Sequence, residues 1–185
     1  MMSGMPTRIV FVRHAQSVRP QFGVPDSDER PLRADGLVAA QELVPRLVEF
    51  APAVVLSSPQ LRAVQTVAPA ADALGLPVIT WPELREWESG LIPSADWVPL
   101  VAHSWANPGF AHGSGESLDT FTVRVRKALA RIAAEYPDAT VLVGSHGTFV
   151  SRALIAAGHH ADFDSLGAMP MPAIYEITSS RAADA

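Results

Sequence analysis

The segment Arg13-His14-Ala15-Gln16-Ser17 directly follows the apolar run Ile9-Val10-Phe11-Val12. Such a run reads as a buried strand, so a guanidinium and an imidazole land where that strand ends. The arrangement recurs twice. Val141-Leu142-Val143-Gly144 runs into Ser145-His146-Gly147, and Val54-Val55-Leu56 runs into Ser57-Ser58-Pro59-Gln60-Leu61-Arg62. In an open α/β sheet, ligands collect beyond the carboxyl ends of the strands. Two His and two Arg at three such ends suit a phosphoryl group, because guanidinium binds its oxygens in pairs.

Each residue also has an ordinary explanation, and the surroundings weigh against it. A buried Arg13 needs an anionic partner, yet no acidic residue flanks it before Asp26. After His146, Gly147-Thr148 opens a helix whose free N–H groups and dipole favour an anion. Arg62 sits early in its helix, where a cation is mildly unfavourable; a shared phosphate explains the placement. Leu84-Arg85-Glu86-Trp87-Glu88-Ser89-Gly90 follows a third strand. A carboxyl beside an anion site resists ionisation, which suits it to give a proton to a leaving oxygen. Glu83, Glu86 and Glu88 compete for that role, and spacing alone does not choose. Glu116 reads as an ordinary first-turn helix residue. His159-His160 reads as a solvated turn, and His103 and His112 lack partners at metal-ligand spacing. The expectation is a site with no metal and no cofactor.

The elements that must position these groups alternate. Strands are expected over 8–12, 53–57, 77–80, 140–144 and 173–178, and helices over 35–50, 59–74, 116–136 and 148–157. Asp35 is the expected N-cap of the first helix, and Gly75 and Gly158 are helix stops. Pro45 and Pro69 fall inside helices and should kink them. This alternation predicts a mostly parallel sheet with helices on both faces, a three-layer α/β/α sandwich. Two stretches stay irregular: 18–32, and a lid or substrate wall over about 87–115. The second contains three of the four Trp, Trp87, Trp97 and Trp105; loops this long are usually functional or disordered, and the aromatics argue for function.

Composition narrows the classes further. The 185 residues are 48% hydrophobic and 18% charged, which fits one globular domain over 1–185. A net charge of −5 gives no basic footprint for nucleic acid. Thirteen of the fourteen basic residues are Arg, Lys127 being the exception. There is no Cys, hence no disulfide, thiol nucleophile or Cys-based zinc site. The N-terminus lacks the apolar stretch of a signal peptide and no run reaches membrane-spanning length. A cytoplasmic protein with no membrane partner is expected; the sequence carries no signal for oligomeric state.

Taken together, the segments resemble the histidine phosphatase superfamily, with its phosphoglycerate mutase-like fold, collinearly from Arg8 to Tyr175. Arg13-His14-Ala15-Gln16-Ser17 is similar to that family's Arg-His-Gly-Glu/Gln-Thr/Ser signature. Pro31-Leu32-Arg33-Ala34-Asp35-Gly36 with Gln41, Ser57-Ser58-Pro59-x-x-Arg62-Ala63, Leu84-x-Glu86-x-x-x-Gly90, Gly115-Glu116-Ser117 and Ser145-His146-Gly147 continue the order. The resemblance implies His14 as phosphate-accepting nucleophile, with Arg13, Arg62 and His146 around the phosphate. It singles out Glu86 as general acid. Gln16, Ser17, Gly147 and Thr148 join Arg13, Arg62 and His146 as expected substrate contacts. Ala15 replaces the usual Gly, Arg33 stands where Thr is common, and Leu91-Ile92-Pro93 replaces a common Trp-Glu-Gly.

Three functions compete on these residues. The first is hydrolysis of a small-molecule phosphate ester through a phosphohistidine. The second is a cofactor-dependent phosphoglycerate mutase, disfavoured because 86–123 contains no Lys or Arg to hold a second phosphate, although Arg19, Arg30 and Arg33 could supply one. The third is a catalytically silent phospho-ligand or protein-binding module, for which a proton donor such as Glu86 would be superfluous.

Overall fold

Five apolar runs pair into one sheet in the computed structural model, which describes residues 6–179. The strands are β1 (Thr7–Arg13), β2 (Val54–Ser57), β3 (Val78–Thr80), β4 (Thr140–Ser145) and β5 (Ala173–Ser179). Their order is β3-β2-β4-β1-β5, parallel throughout except for β5, which runs antiparallel along β1. Ile9 to Val12 are fully buried, as a central strand covered on both faces must be.

Helices supply those covers. On one face Ile9, Phe11, Leu56, Val141 and Val143 pack against α5 (Leu118–Glu135) and α6 (Gly147–Ala156). Phe149 of α6 fills that layer, its ring 6.0 Å from Phe11 and 5.9 Å from Phe121. On the other face Val10, Val12, Val55 and Leu142 meet α2 (Val44–Glu49) and α3 (Leu61–Leu74). The alternation of Ile9 and Phe11 with Val10 and Val12 is the period-two signature of a strand with two apolar covers. The architecture is the expected three-layer α/β/α sandwich.

Several local expectations are corrected. The helix expected over 35–50 is two helices, α1 (Ala34–Glu42) and α2, because Pro45 cannot donate to the Gln41 carbonyl and begins a new helix instead. Arg33, not Asp35, is the N-cap of α1; Asp35 sits in the first turn, where its carboxylate suits the helix dipole. Pro69 lies within an uninterrupted α3, while Gly75 ends it in the left-handed region, as expected. The segment 87–115 is not wholly irregular: α4 (Trp97–Ala106) runs inside it, with Pro99 in the first turn, where no intrahelical N–H is lost. A short α7 (Phe163–Ala168), set by an Asp162–Ser165 capping box, has no counterpart among the expected elements. Met1–Met5, read for a leader, lie outside the described residues. Among those described, no helix is long and apolar enough to cross a membrane.

Candidate active site

Parallel pairing of β1 with β4 sets Arg13 beside Ser145, and β2 with β4 sets Ser57 beside Gly144. Three strand ends therefore adjoin, and the chain leaving each carries one part of the site. The His14 amide donates to the Ser145 carbonyl at 3.0 Å, prolonging β1 by one residue. Gly144 is required here: a Cβ would lie 2.7 Å from Ser57 Oγ and 3.0 Å from the Ala63 carbonyl. Its absence lets α3 begin close to the sheet and brings Arg62, the second residue of α3, into the same cleft as His14 and His146.

His14 is 8% exposed, Arg62 2% and His146 0%. The two imidazoles meet edge to face with centroids 5.4 Å apart. His14 Nδ1 lies 2.8 Å from the Ala15 carbonyl. A carbonyl only accepts, so the neutral ring carries its proton on Nδ1 and leaves Nε2 with a free lone pair. Burial pushes the His14 pKa down to about 3; Arg62, Arg13 and Arg30 add to this and the Ala15 bond opposes it. Burial is thus a larger influence than the neighbouring cations. His146 is held well below the ordinary imidazole range by burial first, then by Arg62 and His14.

The nitrogens of this cluster are under-used. Arg13 Nε, Arg62 Nε and both ring nitrogens of His146 are buried without a hydrogen-bond partner. Buried polar atoms are nearly always paired, and each orphan costs about 1–3 kcal/mol; the two guanidinium N–H groups and the single N–H of a neutral His146 are three donors around one cleft, and they favour an anion between them. Arg13 does donate from Nη1 to the Met169 carbonyl. Arg62 reaches Asp26 at 3.4 Å, but Arg30 holds that carboxylate more closely, at 2.6 and 2.8 Å. Burial works to raise the Asp26 pKa, yet Arg30 and Arg62 outweigh it and keep it below the usual carboxylate range.

Glu86 enters from beyond β3. Its Oε1 accepts the N–H groups of Trp87 (2.9 Å) and Phe149 (3.1 Å), and its Oε2 accepts that of Thr148 (3.1 Å). The start of α6 thus meets the protein's own acidic group, the Glu86 carboxyl, and the Thr148 N–H that faces the cleft is already in use. Arg124 gathers the Glu86 segment by donating to the carbonyls of Glu83, Arg85 and Glu86 while pairing with Glu116 at 2.7 Å. Glu116 therefore has a structural part, as its first-turn position suggests. Glu83 pairs with Arg131 at the surface and Glu88 with Arg85; of the three competing carboxylates, Glu86 is the one that meets α6.

Arg13, His14, Arg62, Glu86, His146, Gly147 and Thr148 all line one cleft of about 1280 Å³. Gln16 and Ser17 do not. The Gln16 carbonyl anchors the Arg33 amide at 2.9 Å, and Ser17 Oγ accepts from Arg30. In this structure these contacts hold the loop, and neither residue lines the cleft. Ala15 is fully buried against Leu32 and Ala40, so its methyl packs away from the cleft. Among the described residues, no three His, Cys, Asp or Glu side chains group as metal ligands.

A sequence profile of the histidine phosphatase superfamily (branch 1) matches residues 9–179. The chain belongs to that superfamily. A curated relative in Bacillus subtilis (strain 168), an uncharacterized phosphatase PhoE, is 26% identical over 80% of this chain and 76% of its own. The bifunctional protein Rv2228c of Mycobacterium tuberculosis (strain ATCC 25618 / H37Rv) is 32% identical over 82% of this chain, which spans only 44% of that protein. Among solved structures, a phosphoglycerate mutase from Thermus thermophilus is 30% identical, covering 84% of this chain and 86% of that one, with a TM-score of 0.64. A mycobacterial glucosyl-3-phosphoglycerate phosphatase, Rv2419c, matches at 20% identity over 95% and 99% of the two chains, with a TM-score of 0.70, a likeness of fold.

Within this histidine phosphatase site, two contributors were not foreseen from the sequence. Asp26 of the loop 18–32 meets Arg62, and Arg124 of α5 meets the backbone of Glu83, Arg85 and Glu86, each across the fold; Arg30, named above as a possible cation for a second phosphate, instead pairs with Asp26 four residues away. The Trp residues divide. Trp87 is buried with its indole N–H on the Glu116 carbonyl at 2.8 Å, Trp105 packs under Arg152, and Trp97 lines the cleft, 37% exposed.

Proposed function

We propose that this protein is a phosphomonoesterase acting on a small organic phosphate through a phosphohistidine on His14. The observation that carries the reading is the set of buried, unpartnered nitrogens on Arg13, Arg62 and His146 beside a His14 whose Nε2 is free. In the first step His14 Nε2 attacks phosphorus in line and the ester P–O bond breaks. The two guanidiniums and His146 stabilise the equatorial oxygens, so positioning and electrostatics supply most of the acceleration. Glu86 gives a proton to the departing alcohol. In the second step Glu86 takes a proton from water, which attacks phosphorus, and the P–N bond breaks to release inorganic phosphate. A phosphoryl oxygen arriving at the start of α6 competes with Glu86 for the Thr148 N–H and frees the carboxyl for this work.

The Thermus match favours the second reading, a mutase. It would need a second phosphate site, yet Arg30 is tied to Asp26, Arg85 to Asp28 and Glu88, and Arg33 to Asp35; Arg19 is then the one cleft-lining guanidinium of the walls outside an ion pair among the described residues, so hydrolysis is the better reading. The test is a rapid quench with a phosphate ester. The expected result is a phosphoenzyme stable in base and labile in acid, absent from His14→Ala, whose turnover should fall by on the order of 10⁴–10⁶-fold. Label persisting in that variant overturns the assignment.

A further inference from the structure

Beyond the pocket of His14, Arg13, Arg62 and His146, the cleft runs on between two walls. One is the loop 18–32 and the other the stretch 85–101; the Gly23 amide donates to the Pro93 carbonyl at 2.9 Å and joins them. The lining there is apolar, with Phe22, Pro93, Trp97 and Val98 from these walls and Phe163 and Leu166 from α7. Phe22 is 70% exposed and Val98 62%, so a ligand lying along them removes apolar surface from water. This lining begins at the anion pocket itself. A Cβ on Gly147 would lie 2.9 Å from Leu166 Cδ1 and 3.1 Å from Arg13 Nε, so leucine and guanidinium flank the same backbone.

Most of the charges on the walls are already matched. Asp26 pairs with Arg30 and Arg62, and Asp28 and Glu88 pair with Arg85. Of the other charged groups that line the cleft outside the pocket and Glu86, Arg19 and Asp164 are in no ion pair among the described residues. A second phosphate or a carboxylate has to disrupt the pairs or rest on Arg19 alone, whereas an apolar group lies over them without doing so. At about 1280 Å³ the cleft is also far larger than a phosphate requires.

We propose that these walls select phosphate monoesters whose alcohol is apolar, an alkyl chain or an aryl ring, over sugar phosphates and bisphosphates. The selection deepens the phosphomonoesterase reading and rests on it. The experiment compares kcat/KM for ethyl, butyl and hexyl phosphate and fructose 1,6-bisphosphate, and in parallel the affinity of ethyl- and hexylphosphonate by calorimetry. The phosphonates cannot be hydrolysed, so they report the walls without the chemistry. Each buried methylene is worth up to about fourfold, so both series should rise at least about tenfold from ethyl to hexyl. Phe22→Ser combined with Trp97→Ser should collapse the hexyl-to-ethyl ratio, while Trp97→Phe should largely keep it. A flat phosphonate series, or the bisphosphate outpacing hexyl phosphate, overturns the proposal. A phosphonate gradient with no ester turned over leaves the walls standing and removes the phosphatase reading; turnover of every ester with no gradient does the reverse.

Discussion

The floor of the cleft and its walls treat polar groups in opposite ways. On the floor, His14, Arg62 and His146 are at most 8% exposed, and four nitrogens of Arg13, Arg62 and His146 have no partner. On the walls, Asp26, Asp28, Arg30, Arg85 and Glu88 are joined in ion pairs, with exposed apolar side chains between them. The floor stands on three adjoining strand ends whose backbone is held by the sheet. The walls are loop segments and the short helical stretches that follow them, tied to one another by the Gly23–Pro93 backbone bond and the Asp28–Arg85 pair. A buried cation cluster without a full set of partners is a costly arrangement, tolerated where a ligand completes it. The pattern divides reactivity from selection: the rigid floor would hold the phosphoryl group, and the walls would respond to what it is attached to.

The largest test of that division is at Glu86, which belongs to the floor through α6 although it arrives on a wall segment. Glu86→Gln keeps the shape but has no proton to give. Turnover of an alkyl phosphate should fall by about 10²–10⁴-fold. That of p-nitrophenyl phosphate, whose leaving group departs as the anion, should fall far less, and burst kinetics will show whether dephosphorylation has become limiting. Equal losses on both substrates would assign Glu86 to structure, through its bonds to Thr148 and Phe149. Glu83→Gln, at the surface pair with Arg131, is the control and should be mild on both.

A second test uses pH to separate the regions. In the unfolded chain an imidazole titrates near 6.5, whereas His14 in the fold is pushed down to about 3 and His146 also lies well below its usual range. As pH falls below about 6.5, the unfolded chain takes up protons that the folded one refuses, so stability is lost with falling pH. Above that value these residues impose no such slope. The loss approaches about 1.4 kcal/mol per pH unit for each imidazole. The wall carboxylates Asp26 and Asp28 have lowered pKa values and weaken the fold only below the carboxylate range, about pH 4. Thermal midpoints between pH 7 and 5 therefore report the floor. His14→Asn with His146→Asn should flatten that slope; a slope equal to that of the unaltered protein would refute the assignment.

The smallest effect is expected on the walls. Asp28→Asn breaks a partly exposed pair with Arg85, and such pairs are worth about 0–1 kcal/mol. Stability should change within that range, and kcat/KM for ethyl phosphate should change less than about tenfold, the equivalent of 1.4 kcal/mol. A larger loss would show that the wall pairs help hold the floor, and the division would fail.

Much of the floor was legible in the sequence because its logic is local. Apolar runs of three or four residues become inner strands, and the residues after them must stand at the sheet's end, so Arg13, His14, Arg62 and His146 could be named from position along the chain. The superfamily resemblance then singled out Glu86 among three carboxylates. What the chain alone left open depends on distant partners. That Thr148 and Phe149 donate to Glu86, that Asp26 meets Arg62, and that Gln16 and Ser17 hold a loop instead of lining the cleft all follow from contacts that only the folded chain makes. Helix α4 was hidden because Pro99 reads as a breaker until its place in the first turn is known. Periodicity and strand-end position are properties of neighbouring residues, so the sequence by itself determined the layers and the four cationic and imidazole groups. Which polar atoms end up satisfied, and which are left for a ligand, is a property of the packed whole that only the tertiary structure decided.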